Sequence, residues 1–195
     1  MAHRAVLECD LPGCGAQVDV GKYRTIVADP PWFYEYASLY PGRPELTKPM
    51  PYPMMSVDEI AALRVGSLAE RDAHLYLWTT QRYLDDSFRV LEAWGFQMSA
   101  VLVWSKRPRG FVGSFVCSAE FVLFGRRGTL ATKRRQLGTV YEWPRRAHSA
   151  KPEAFIDLVE SMSPGPYVEL FSRRHRLGWD VWGNESANTA QMEVG

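Results

Sequence analysis

Tyr23-Arg24-Thr25-Ile26-Val27-Ala28-Asp29-Pro30-Pro31-Trp32-Phe33-Tyr34 is the stretch that decides the fold. Thr25 to Ala28 is a short apolar run with β-branched residues at its centre, the pattern of a buried strand in a parallel sheet. Asp29 follows at the strand's carboxyl end, and open α/β sheets bind ligands just outside those ends. Pro30 and Pro31 have fixed φ angles and no N–H, so the chain must leave the sheet there on a stiff loop. That loop offers a carboxylate and carbonyl acceptors, with Trp32, Phe33 and Tyr34 as flat surfaces beside them. Acceptors next to a ring suit a planar ligand that carries an amino group.

Methylation of the exocyclic amine of a nucleobase asks for this combination. The amine is a poor nucleophile because its lone pair is delocalised into the ring. Acceptors on its two hydrogens, here the Asp29 carboxylate and the Pro30 carbonyl, favour a tetrahedral nitrogen and shift electron density toward attack. The electrophile would be the methyl sulfonium of S-adenosylmethionine, with the protein aligning and stabilising. Trp32 is expected to stack on the base, worth roughly 1–3 kcal/mol on other base–aromatic platforms. The plainer reading is a strand and a proline-rich turn whose aspartate caps a neighbouring group.

The rest of the chain weighs on that choice. YPMMSVDEIAAL (52–63), HLYLWTTQRYLDDSFRVLEAWGF (74–96), VLVWSK (101–106), EFVLFGRRG (120–128), HSAKPEAF (148–155) and ELFSRRHRLGWDVWGNE (169–185) follow the Asp-Pro-Pro-Trp motif in order. Over residues 5–186 the sequence resembles the MT-A70 family of adenine-N6 methyltransferases, whose signature is that motif. The resemblance implies an α/β fold of the Rossmann-like, S-adenosylmethionine-dependent methyltransferase type. Its sheet is mostly parallel with helices on both faces, and its motif order is permuted, with the catalytic Asp-Pro-Pro-Trp before the cofactor strand. It implies catalytic roles for Asp29, Pro30, Pro31 and Trp32. Cofactor contacts would come from Ala28, Asp29, Phe171, Arg173 and His175, from Lys151 to the cofactor's carboxylate, and from Asn184 and Glu185 to its ribose and adenine. Asp10 and Leu11 would border the adenine, although Asp10 equally suits the start of a turn. The G-x-G-x-x-G turn of dinucleotide folds is missing, as in the family, and this cofactor has no phosphates to cradle.

At 195 residues, with 46% hydrophobic and 23% charged residues, the chain fits one soluble domain over residues 1–186 and a disordered tail over 187–195. No apolar run approaches membrane-spanning length and the N-terminus lacks a signal peptide's apolar core, so a cytoplasmic protein without membrane attachment is expected. Three cysteines make no disulfide framework. Cys9 and Cys14 would be half a zinc site, but no second pair stands at ligand spacing and the four histidines are scattered, so no metal is expected. The net charge is only +1, yet Lys106 to Arg146 holds ten Lys or Arg against Glu120 and Glu142. That section reads either as a solvated surface or as a phosphate-facing one. On the second reading Lys106 and the loop Lys133-Arg134-Arg135 grip nucleic acid near the target, with Trp32 and Tyr34 on the base.

Locally, Ser56 and Glu59 form a capping box opening a short helix, and residues 36–55 suit a lid. Leu84, Phe88, Leu91 and Trp94 fall at helical spacing, closed by Gly95 at C′. Phe155, Leu158, Val159 and Met162 mark a second amphipathic helix with Pro152 at its first position. Strands are expected at 5–9, 74–78, 98–104, 119–124, 167–171 and 178–183. A lysine at the head of a helix, as Lys151 is, meets an adverse dipole and points to an anionic partner. The substrate expected is DNA, since the compact chain carries no appended RNA-binding modules, with RNA as the alternative. A non-catalytic nucleic-acid-binding paralogue is the reading from another class, disfavoured because Asp29, Pro30, Pro31, Trp32, Lys151 and Asn184 are all present. The protein would act as a monomer or homodimer.

Overall fold

The computed structural model describes residues 6–7, 18–19, 21–34, 53–106, 117–144, 150–172 and 175–183. Several expectations lie outside these residues: those on Asp10, Leu11, Arg173, Asn184 and Glu185, the Cys9/Cys14 pair, residues 36–52 of the lid, and the tail.

In chain order the elements are β1 (Val6–Leu7), β2 (Val18–Asp19), β3 (Tyr23–Ala28), α1 (Val57–Ala62), α2 (Val65–Leu68), β4 (Ala69–Thr80) and a 3₁₀ turn (Gln81–Tyr83). Then come α3 (Leu84–Ala93), β5 (Gln97–Ser105), β6 (Ala119–Arg127), β7 (Val140–Tyr141), α4 (Glu153–Met162), β8 (Tyr167–Leu170) and β9 (Trp179–Trp182). β1 and β2 pair antiparallel in a small sheet of their own. The main sheet has seven strands in the order β7-β5-β6-β4-β3-β8-β9, and only β6 runs against the rest. This is the mostly parallel, Rossmann-like arrangement expected. β3 and β4 sit in its middle, buried on both faces, which is why they read as apolar runs without alternation.

Successive residues of a strand point to opposite faces, and the core divides accordingly. Ile26, Ala28, Leu75, Leu77 and Leu123 pack on Ile60 of α1 and on Val90, Leu91 and Trp94 at α3. Val27, Tyr76, Trp78, Val122 and Phe124 meet Phe155, Ile156, Leu158 and Val159 of α4 on the other face. The capping box forms as expected: the Glu59 N–H reaches the Ser56 hydroxyl, and the Ser56 N–H reaches the Glu59 carboxylate. Gly95, at φ 82°, ends α3 in the left-handed region. Several boundaries differ from expectation: β4 runs from Ala69 to Thr80 rather than over 74–78, and β6 continues to Arg127 rather than stopping at 124. Pro152 is the N-cap of α4, one position before the helix, and β8 stops at Leu170, because Phe171 turns out of the strand at φ 62°. No helix among the described residues is long and apolar enough to cross a membrane.

His74, fully buried on β4, anchors the amino end of the sheet. Its Nε2 lies 3.0 Å from the Leu130 carbonyl, which can only accept, so Nε2 carries the proton. Nδ1 then accepts from the Ser163 hydroxyl at 2.8 Å, and that oxygen accepts in turn from the Tyr76 hydroxyl. Burial first, with the nearby Arg126 cation adding to it, lowers the His74 pKa below its ordinary value. The unfolded chain therefore takes up a proton near pH 6.5 that the folded one refuses, so stability is full above that pH and is lost as pH falls below it. Thermal melts between pH 8 and pH 5 are expected to show this decline, and a His74→Gln variant should flatten it. Equal slopes in the two proteins would remove His74 as the cause.

Candidate active site

Asp29 leaves the sheet between β4 and β8, with its N–H directed at the Leu170 carbonyl 3.4 Å away. The loop after it is braced by backbone bonds rather than left to its prolines alone. The Trp32 N–H donates to the Pro30 carbonyl at 2.9 Å, the Met55 N–H to the Pro31 carbonyl at 2.8 Å, and the Phe33 N–H to the Met55 carbonyl at 3.0 Å. Residues 53–56, which lead into the capping box of α1, thus hold the acceptor loop. The Pro30 carbonyl keeps a second lone pair for a further donor.

Lys151, just ahead of α4, places its Nζ 2.7 Å from Asp29 Oδ2 and 3.6 Å from Glu120 Oε2. Lys106 pairs with the other oxygen of Glu120. Asp29, Lys151, Glu120 and Lys106 form a row of alternating charges across the top of the sheet. Burial acts to push the Lys151 pKa down, but the Asp29 and Glu120 carboxylates outweigh it, and the pKa lies above the ordinary lysine value. The anionic partner that Lys151's place at a helix head pointed to is therefore, within this chain, a pair of carboxylates. Glu120 was not foreseen as a site residue. Because β6 is reversed, its first residues lie at the carboxyl ends of its neighbours, level with Thr80 and Trp104.

The aromatic cluster divides into unlike parts. Trp32 is 5% exposed. One face of its ring lies on Tyr83 at a centroid distance of 5.2 Å, and its Nε1 donates to the Trp78 carbonyl at 3.2 Å. This corrects the expectation of a stacking platform for the base: the ring is packed into the core. Tyr34 is partly buried, its hydroxyl sharing a hydrogen bond with Thr80, and Tyr83 donates to the Phe33 carbonyl. Phe33 is the aromatic side chain of this loop that stands out, 47% exposed.

Ala28 is fully buried on the α1/α3 face, so at the site it offers backbone only. Phe171 packs edge-on to Trp182 at 5.3 Å. An aromatic residue in the left-handed region is strained, a condition that collects at ligand sites. The strain is held by the neighbouring strand: the Ser172 N–H donates to the Trp182 carbonyl, and a Cβ on Gly183 would stand 2.6 Å from the Ser172 carbonyl oxygen. His175 is exposed on the connection to β9.

The basic section separates along the strands. Lys106 belongs to the charged row. The Lys133 N–H donates to the carbonyl of Met162, the last residue of α4, and its Nζ to the Glu160 carbonyl at 2.9 Å and the Tyr167 hydroxyl at 3.1 Å. Tyr167 is paired with Thr25, four residues before Asp29, so Lys133 ties down the amino end, roughly 13 Å along the strand from the carboxylate. Arg134 and Arg135 are exposed beside it. The structure does not bring these three residues to Asp29.

A lysine ammonium and a strained aromatic turn at adjacent strand ends suit an amino-acid-bearing cofactor: the ammonium offers a charge-assisted bond to a carboxylate, and Phe171 a surface for an apolar body. A family model described as MT-A70 matches residues 23–185. The type II methyltransferase M.MunI of Mycoplasma sp is 32% identical over 181 residues, covering 84% of this chain and 78% of that protein. The N(6)-adenosine-methyltransferase MT-A70-like protein of Drosophila melanogaster is 30% identical over 191 residues, 92% of this chain and 29% of that one. The human N(6)-adenosine-methyltransferase catalytic subunit METTL3 is 26% identical over 189 residues, 91% of this chain and 30% of its own length.

Proposed function

This chain belongs to the MT-A70 family, and from that premise we propose that it methylates the N6 amine of adenine in DNA, with Asp29 and the Pro30 carbonyl as acceptors for the amine. The observation that carries the reading is Asp29 on its braced loop, one carboxylate oxygen held by Lys151 at 2.7 Å and the side chain one-third exposed. S-adenosylmethionine, when bound, supplies a methyl group on a positively charged sulfur. Lys151 would hold that cofactor's carboxylate, and Phe171 would line its path.

The chain's own residues act on the amine. Asp29 and Pro30 each take one N–H, which turns the nitrogen lone pair out of the base plane. Lys151 fixes the carboxylate so that this geometry exists before the substrate arrives, the condition under which such groups act most strongly. Asp29, whose side chain is one-third exposed, also gives the departing amine proton a route to solvent.

DNA is favoured because likeness to the type II methyltransferase extends over most of that protein, whereas the matched adenosine methyltransferases are covered over under a third of their length. RNA is the second reading, since those relatives are N(6)-adenosine-methyltransferases. Incubation with labelled S-adenosylmethionine and matched DNA and RNA oligonucleotides, followed by mass spectrometry of the nucleosides, tests both. N6-methyladenine forming faster in DNA is the expected result. Faster transfer to RNA would favour the second reading, and no transfer to either would remove the activity. Lys151→Ala should weaken S-adenosylmethionine binding by about 1.5–3 kcal/mol. Because its pKa lies above the ordinary lysine value, the ammonium stays charged through neutral and mildly basic pH, so calorimetric affinities should show no Lys151 titration between pH 7 and pH 9. An unchanged dissociation constant in the variant would take Lys151 out of the cofactor site.

A further inference from the structure

A groove of about 270 Å³ runs along one flank of α4, between that helix and the segment around β7. Tyr141 and Trp143 form its aromatic wall, stacked at 4.4 Å and 10°. Leu158 and Ser161 line the helix side, and Arg134 borders it. Asp157, the acidic group in the lining, is paired with Arg176 at 3.1 Å. The Ser161 hydroxyl is turned onto the Leu158 carbonyl.

The groove's course connects it to the catalytic loop. α4 begins at the carboxyl end of the sheet, where Lys151 touches Asp29, and finishes at the amino end, where Lys133 binds Met162. Ala154 and Ser161, both in the lining, are seven residues apart on the helix, roughly 10 Å. On the other wall, Tyr141 is level with Trp104 in the β5–β7 register, near the charged row, while Arg134 lies toward the amino end. A chain leaving the site meets first the aromatic pair and then an arginine, the sequence of surfaces that single-stranded nucleic acid uses.

We infer that this groove is a second binding site, taking an unpaired nucleotide that flanks the target adenine on the substrate strand, its base against Tyr141 and Trp143 and its phosphate on Arg134. The volume suits a single ring system rather than a stacked pair, being at the low end of the roughly 300–1,000 Å³ of small-ligand pockets. The inference rests on the methyltransferase reading above and gives the Lys133–Arg135 loop a role away from the reacting amine: Lys133 fastens the loop to α4, and Arg134 is presented to the strand.

The test uses single-stranded DNA with one adenine, lengthened by thymidines on each side in turn. Binding is followed by fluorescence anisotropy and methylation by mass spectrometry, for the full chain and its Tyr141→Ala, Tyr141→Phe and Arg134→Glu variants. Lengthening one side should tighten binding of the parent protein by about tenfold or more. Tyr141→Ala should abolish that gain and Tyr141→Phe should keep it, while both keep the parent's affinity for the unlengthened strand, which a folding defect in the alanine variant would lower. Arg134→Glu should also remove the gain and lower the salt slope by about 0.7. Placing an abasic unit at the favoured position should have the same effect as Tyr141→Ala. A gain unaltered by both Tyr141→Ala and Arg134→Glu, a gain that survives the abasic unit, or no gain at all overturns the inference. Tyr141-dependent binding without any methylation would instead overturn the activity and leave the groove standing.

Discussion

Replacing Asp29 with alanine is expected to slow methyl transfer by at least about 100-fold, the scale on which losing one preorganised polar group registers in an active site. The variant loses the acceptor for one amine hydrogen and the anchor at 2.7 Å that fixes Lys151. The fold should survive, because the Lys151 ammonium keeps Glu120 within 3.6 Å and the loop itself is held by Met55. Asp29→Asn separates the two losses: it retains an acceptor oxygen while giving up the ion pair, and should lie between alanine and the parent. Single-turnover rates at saturating cofactor, with circular dichroism to establish folding, make the measurement. A folded Asp29→Ala protein with near-full activity would show that the carboxylate does not act on the amine.

What the sequence made legible was whatever depends on near neighbours along the chain. The β3 run, the Ser56/Glu59 box, the Gly95 stop and the α4 stripe are set by propensity, capping and periodicity within a few residues, and each is where it was expected. The ends of the long strands were less legible, since β4 and β6 run on beyond their apolar centres into half-exposed residues such as Glu70 and Arg126. β2, two residues long, has no pattern to read. The site was legible where one residue carries its own signal. Asp29 before two prolines and Lys151 before a helix both announce themselves, but that they touch depends on a contact spanning 122 positions. Glu120 is hidden for a related reason: at the start of an apolar strand it reads as an edge residue, and only the reversal of β6 carries it to the charged row. The basic section looked like one surface because charge was counted along the sequence, whereas the register sends Lys106 and Lys133 to opposite ends of the sheet.

Trp32 is the sharpest case, and it yields a prediction opposite in kind to the one its motif invites. A tryptophan after two prolines reads as an exposed ring on a loop, because its partners, Trp78 and Tyr83, stand 46 and 51 positions further along. In the structure it fills the space between the acceptor loop and the 3₁₀ turn, within the same cluster as Met55 and Tyr83. Trp32→Ala should therefore cost about 3–5 kcal/mol of stability by leaving a cavity, a large part of the roughly 5–15 kcal/mol that holds a domain together. It should also orphan the Trp78 carbonyl. Trp32→Phe keeps most of the volume and the contact with Tyr83, and should cost markedly less. Urea denaturation measures both, and activity should fall with the folded fraction and with loosening of the Pro30 acceptor. A Trp32→Ala protein as stable as the parent, impaired only in its KM for nucleic acid, would restore the ring to the base. Phe33, the exposed aromatic one residue on, is the residue we propose for contact with the base instead. Phe33→Ala should raise the nucleic-acid KM while leaving the urea midpoint nearly unchanged, so the pair of variants separates the residue that holds the loop from the one that greets the substrate.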